Sequence, residues 1–407
     1  MFKISELPEA KRVAALFFSM NFIMYAAFAV FWPYMSAHYV NLGIDTGRIG
    51  ILASITSIAT IFVLPIWSRI SDKTGNRRAV LKIVMLGSCL SVLLFILSKS
   101  FFTLFLTLSL FMCFHVCIVP LSDAVSISYL SQNQIRFSSI RIGGTFGFAV
   151  MMLFSGHVFE YNNNINFIIA SVFYFVLFIC ARNIPQIEIE KKEKKKFEPR
   201  RLFKNKKVLF ILFIAFIVQV AQGFYFVFIG VHIQSLGFTG REIGTANLIA
   251  VLFEIPIILV IDRILKRFSV VTVTIFCGFV VALRMFLLFA ATDMILVYVS
   301  VIGNGISFIG MYYSCAIFIN NEMESDLKST GQSMLAFAQM GLGSIVGNLL
   351  GGFISMYAGT RFAFLYFGTG LAIVCTTCMI IFTTLKIKSK GTVLLLFLAL
   401  PMIYHFS

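Results

Sequence analysis

Twelve apolar runs recur along the chain, separated by short polar intervals. They lie near 13–38, 48–67, 79–98, 101–129, 137–158, 165–181, 208–234, 242–261, 269–291, 293–319, 329–357 and 361–385. Runs of roughly 20 apolar residues are the mark of transmembrane helices. A membrane β-barrel would alternate polar and apolar positions over ten-residue segments, and these runs do not alternate. The pattern predicts an all-α membrane protein with twelve transmembrane helices. A last apolar stretch, TVLLLFLALPMI within 391–407, is too short to span and is expected at the interface.

Composition agrees: 59% of the residues are hydrophobic and only 12% charged. The net charge of +16 would suit nucleic acid, but the basic residues sit in short loops and one linker, so none is expected to bind. Lys11 and Arg12 precede the first run, and Arg69, Lys73, Arg77, Arg78 and Lys82 follow the second. Arg136 follows the fourth, Arg263, Lys266 and Arg267 the eighth, and Lys386, Lys388 and Lys390 the twelfth. The alternate loops are poor in Lys and Arg, which places both termini in the cytoplasm. The eight cysteines lie almost entirely inside apolar runs and read as small buried hydrophobes, with no metal or redox site. The first run is too long for a signal-peptide core and is expected to remain as a span.

The linker at 182–207 divides the spans six and six. The expected organisation is an N-terminal bundle (1–181), the basic linker (182–207), a C-terminal bundle (208–390) and the tail (391–407). LGIDTGRIG at 42–50 recurs as LGFTGREIG at 236–244, an offset of 194 residues, each between the first two spans of its half. Internal duplication of a six-span unit marks a large class of secondary transporters.

Four ionisable residues fall well inside spans, where a charge costs roughly 2.5–3.5 kcal/mol and does not face lipid unpaired. Asp123 and Arg141 occupy the two arms of one helical hairpin at matching depth. Glu254 in span 8 and Arg284 in span 9 differ in depth by only about 6 Å by helix rise. Each half is thus expected to hold one acid–base pair. An acid beside an arginine stays ionised, and losing that neighbour lets it take a proton, the minimum machinery for proton coupling. On span 1, Asn21, Tyr25 and Trp32 share a face; on span 7, Gln219, Gln222 and Tyr225 do so. These stripes are expected to line a central cavity, with Asn21, Tyr25, Trp32, Gln219 and Gln222 binding substrate; the residues alone leave open which of the two acids takes the proton, and Glu254 is favoured. Asn304, Gln339 and Asn348 read as interhelical glue as readily as site residues.

SRISDKTGNRR at 68–78 resembles the signature loop of the major facilitator superfamily: Asp72, Lys73, Gly75, Arg77 and Arg78 match, and Ser68 stands where Gly is usual. The loop after span 8 keeps Asp262, Arg263 and Arg267. The resemblance implies a conformational latch at Asp72, Arg77, Arg78, Asp262 and Arg263, in two pseudo-symmetric six-helix bundles. PLSDA followed by SSIRIGGTFGFA resembles the phenylpropionate-permease-like branch, related to lactose-permease-type symporters, and the resemblance implies Asp123 and Arg141 near the substrate and Arg284 near the proton site. There Gly143 replaces the usual Trp, which is expected to reshape the pocket. Span 10 departs from the lactose permeases, reading NGISFIGMYYS where they have a His and a Glu.

The expected function is proton-coupled uptake of a small organic solute, an aromatic acid, sugar or nucleoside, by alternating access. The setting is a bacterial cytoplasmic membrane; the protein is expected to be a monomer, with no cofactor beyond protons. Drug–proton antiport is the alternative, weakened because GFAVMMLFSGHVFEY in span 5 lacks that group's proline. No nucleophile or metal constellation suggests an enzyme, and GxxxxGK[ST] is absent.

Overall fold

The structure, a computed structural model, describes residues 9–185, 205–324 and 327–388, with the side chains of 385–388 left aside. The C-terminal apolar tail and most of the basic linker lie outside these residues. No strand occurs among the described residues. Among the described residues, eleven helices are long and apolar enough to cross a membrane: Glu9–Asn41, Thr46–Thr74, Arg77–Ile96, Phe101–Gln132, Ser138–Tyr161, Asn163–Ala181, Lys206–Ser235, Val270–Ala290, Met294–Glu322, Lys328–Ala358 and Thr360–Thr384. Gly240–Arg267, 28 residues long, supplies span 8, so the twelve expected spans are all helical. Large apolar side chains such as Phe62, Phe102, Ile295 and Ile373 are exposed on the helix surfaces, as lipid-facing positions should be.

The span boundaries follow from local chemistry. Asp45 caps span 2 by accepting from the Arg48 amide at 2.9 Å. Ser100 and Thr103 form a reciprocal capping box at span 4, and Ser269 and Asp293 cap spans 9 and 10. The duplicated loop has a duplicated geometry. Gly43 and Gly237 both take positive φ, +74° and +87°. The Gly43 amide donates to Val40 O and that of Gly237 to Gln234 O, each at 2.9 Å. Ile44 and Phe238 then donate to Tyr39 O and Ile233 O. These are the two bonds of a Schellman helix end, which needs a left-handed residue, so the glycines recur for a backbone reason.

Two compact units emerge. The first comprises Met1–Glu193, Val227–Val251 and Asn348–Met356; the second Lys194–Phe226, Leu252–Gly347 and Tyr357–Ser407. In the first, span 5 lies against span 1 along a glycine face. A Cβ at Gly147 would sit 2.0 Å from the Phe22 carbonyl oxygen, so the two backbones touch there. The ends of spans 5 and 8 opposite the basic loops also meet in this unit. Arg241 pairs with Glu160 at 3.0 Å, the Thr239 hydroxyl donates to the same carboxylate, and Gly240 lies against Gly156.

In the second unit, span 9 packs against span 12, and spans 10 and 11 are not uniform α-helices. Each has a wider π-turn at mid-length, Gly305–Gly310 and Phe337–Gly343. Such turns leave carbonyls unspent by the helix and recur at functional sites.

Candidate functional site

Prolines shape the first site. Pro33 and Pro120 each withhold a backbone donor from their helix. Span 1 tightens to a 3-10 turn at Trp32–Tyr34, and span 4 breaks between His115 and Ile118. Trp32 and His115 stand at these breaks and meet: the indole Nε1 donates to His115 Nε2 at 3.2 Å. From His115 a series of rings runs along span 1. Phe28 lies 4.8 Å from His115 between ring centres, and Tyr25 lies 5.4 Å from Phe28. The Arg141 guanidinium sits 4.7 Å from the Tyr25 ring centre, a cation–π contact. Its Nη1 donates to Asp123 Oδ2 at 3.3 Å.

Tyr25, Phe28 and Trp32, at i, i+3 and i+7, are all half-buried on one face of span 1. The first unit therefore carries a partly open stripe of three rings ending on an ion pair. Arg141 and Asp123 remain 43% and 24% exposed, enough to reach a ligand. A Cβ at Gly144 would come within 2.6 Å of the Tyr25 ring, so that glycine makes the seat on which the ring lies.

Two expectations are corrected here. Asn21 is buried, and its amide donates to Phe17 O in its own helix at 3.1 Å, so it does not join the stripe. Gly143 does not reshape a pocket: a Cβ there would sit 2.7 Å from the Phe18 carbonyl oxygen, and span 1 closes over the position.

The second site gathers around the π-turn of span 10. Arg284, only 2% exposed, donates from Nε to Ser300 O at 2.9 Å and from Nη1 to Ser307 Oγ at 2.6 Å. Its guanidinium lies 4.1 Å from the Tyr225 ring centre. Gln222 donates to Ser307 O at 3.0 Å, and the Cys277 thiol lies 3.3 Å from Ile306 O. These are carbonyls of the π-turn. Gln219, also buried, donates to Ser344 Oγ at 3.0 Å.

The expected Glu254–Arg284 ion pair is corrected by this arrangement. Glu254 Oε1 accepts from Asn304 Nδ2 at 2.9 Å, and no ion pair joins it to Arg284. Arg284 is drawn instead to the carbonyl, hydroxyl and ring around it. The two charges still act on one another electrostatically.

At the loop ends, the Arg77 guanidinium donates to Ala124 O at 3.4 Å, next to Asp123 in sequence. Asp72 is exposed near the end of span 2, where Gly75 closes the helix in a left-handed conformation. Arg78 is half-buried. Asp262 interacts with the Tyr313 hydroxyl, and Arg263 is exposed.

Phe28, His115, Tyr174, Ser300 and Ser307 were not singled out by the sequence as site residues. Phe28 extends the Tyr25–Trp32 spacing, but one ring among 47 phenylalanines carries little signal. Ser300 and Ser307 act through backbone geometry that no sequence motif announces.

The MFS_1 like family model matches residues 17–366. The chain is 25% identical to the maltose permease of Geobacillus stearothermophilus over 397 residues, covering 94% of this chain and 96% of that protein. It is 25% identical to the xanthosine permease of Escherichia coli (strain K12) over 363 residues, 82% and 85% of the two chains. A crystal structure of a mutant of the nucleoside transporter NupG superposes with a TM-score of 0.85 at 18% identity, covering 91% of this chain and all of that one. The chain belongs to the MFS_1 like family: it is a multi-pass membrane transporter of the major facilitator fold, and not an enzyme.

Proposed function

We propose that this transporter takes up a nucleoside, moving it by alternating access in symport with a proton across the bacterial cytoplasmic membrane. The observation that carries the reading is the stripe of Tyr25, Phe28 and Trp32 ending on the Asp123–Arg141 pair. Ring faces stack on any flat base, and a carboxylate beside a guanidinium offers an acceptor and a donor to ribose hydroxyls. The relatives that include a xanthosine permease and the nucleoside transporter NupG support the same class. A sugar is the second reading, favoured by the maltose permease that aligns over 94% of this chain. In both readings Glu254 carries the proton, because it is held by the neutral Asn304 amide, and Arg284 supplies a fixed buried cation beside it. Protons are the coupling ion and no cofactor is required.

The test is uptake into proteoliposomes under an imposed inward proton gradient, with labelled uridine, inosine, xanthosine and maltose. Concentrative nucleoside uptake that collapses on adding a protonophore is expected. Maltose accumulation without nucleoside uptake would select the sugar reading. Solute driven outward by the same gradient would refute symport.

A further inference from the structure

Trp32 does not stand alone on the stripe. Its indole nitrogen is held by His115, and His115 Nδ1 lies 3.0 Å from the Tyr174 hydroxyl of span 6. Indole N–H can only donate, so His115 Nε2 must accept. The imidazole proton then sits on Nδ1 and is directed at the Tyr174 oxygen, which fixes the tautomer and leaves the ring neutral. Phe111 stacks on the imidazole at 4.6 Å, and Phe28 packs against it at 4.8 Å. His115 is 5% exposed and Tyr174 is fully enclosed. The three polar atoms thus form one directed chain, Trp32 to His115 to Tyr174, tying together spans 1, 4 and 6. Only Trp32 at its end is partly open.

We infer that His115 is a positioning residue for solute recognition. It holds the Trp32 indole by its edge and so sets the angle of the ring face that meets the flat part of the solute. The inference rests on the nucleoside reading only for the identity of that solute. Stacking is angle-dependent, and a ring held at one edge loses less freedom on binding than one that turns freely. The same indole acting as packing alone would need no directional partner. Here the Pro33 and Pro120 breaks bring both residues to one level, and Tyr174 orients the imidazole from behind.

The test uses the full-length protein carrying Trp67→Phe. The chain has two tryptophans, so this variant leaves Trp32 as the sole indole emitter. In the solute-free protein, His115→Phe is expected to change the Trp32 emission maximum and lifetime. His115→Gln, which offers an amide acceptor to the indole and a donor toward Tyr174, is expected to restore them. In proteoliposomes, His115→Phe should raise the KM for inosine and uridine about threefold to tenfold, the worth of one neutral hydrogen bond, with little change in maximal rate. If His115→Phe does not accumulate in the membrane, His115→Asn is polar but too short to hold the indole and carries the same test. Unchanged emission in these variants would overturn the proposal, as would a raised KM that His115→Gln fails to rescue. Emission that responds as expected in a protein that moves maltose and no nucleoside would uphold the positioning role and reject the nucleoside reading.

Discussion

The Asp123–Arg141 pair should matter far more to transport than to stability. At 3.3 Å the Coulomb attraction is about 5 kcal/mol at an effective dielectric of about 20, and about 1 kcal/mol in water. Side chains 43% and 24% exposed lie toward the aqueous end of that range. Desolvation and side-chain ordering remove most of what remains, leaving a net of roughly 1 kcal/mol or less. Asp123→Asn and Arg141→Ala should therefore fold, with apparent Tm lowered by about 4 °C or less. A hydrogen bond from a charged group to the solute is worth about 1.5–3 kcal/mol, so each variant should lose about tenfold to 100-fold in uptake efficiency. The assay pairs initial uptake rates in proteoliposomes with thermal unfolding of the same purified protein. The exchanged variant, Asp123→Arg with Arg141→Asp, is the control: it should recover stability without recovering transport. Retained uptake in Asp123→Asn together with a large drop in Tm would refute the assignment and make the pair a structural clamp.

Glu254→Gln keeps an oxygen for the Asn304 amide but cannot exchange a proton. It should equilibrate solute across the membrane without concentrating it, while counterflow in preloaded liposomes continues; concentrative uptake in this variant would sink the coupling role. Gly147→Leu forces a side chain onto a site where even a Cβ would lie 2.0 Å from the Phe22 carbonyl oxygen. Overpacking of this kind costs about 1–3 kcal/mol or more, and the yield of monodisperse protein should fall sharply against a Gly370→Leu control, where no neighbour lies within 4 Å. Deleting Ile309 should convert the π-turn of span 10 to regular α-helix and withdraw the acceptors used by Gln222 and Cys277. Membrane insertion should survive and uptake should not, and normal uptake by this variant would show that the wider turn has no role.

The fold was largely legible because a bilayer imposes length and polarity on every span. The hairpin pair was legible for a similar reason: two residues on neighbouring arms, equally far from one turn, meet whatever the packing. The Glu254–Arg284 pairing failed because helix rise gives depth and not azimuth. Span 10 intervenes: the end of its first helical stretch presents Ser300 O to Arg284, and its wider turn at Gly305–Gly310 presents Ser307 Oγ. A π-turn changes which side chains face one way without leaving a motif in the sequence. Asn21 failed differently, since period alone placed it on the Tyr25 face while its amide turned back to its own helix. His115 is a buried residue, and a lone histidine in an apolar run carries no signal of more. Its role depends on two proline-induced breaks lying at one level, which appears only when spans 1 and 4 are set side by side.

The two halves share a repeated loop, yet their acids have different partners, and under the proposed symport that difference bears on which acid exchanges protons. Asp123 is bonded directly to Arg141, so protonating it removes the guanidinium's carboxylate partner. Glu254 is bonded to a neutral amide. The nearby cation, Arg284, has a carbonyl, a hydroxyl and an aromatic face as its direct partners. Protonation of Glu254 therefore breaks no direct ion pair, and the Asn304 amide still has an oxygen to donate to. A symporter needs one acid that can load and release a proton without dismantling its surroundings, and a separate charged pair that stays ionised to meet the solute. The second half has the partners for the first task and the first half has the partners for the second.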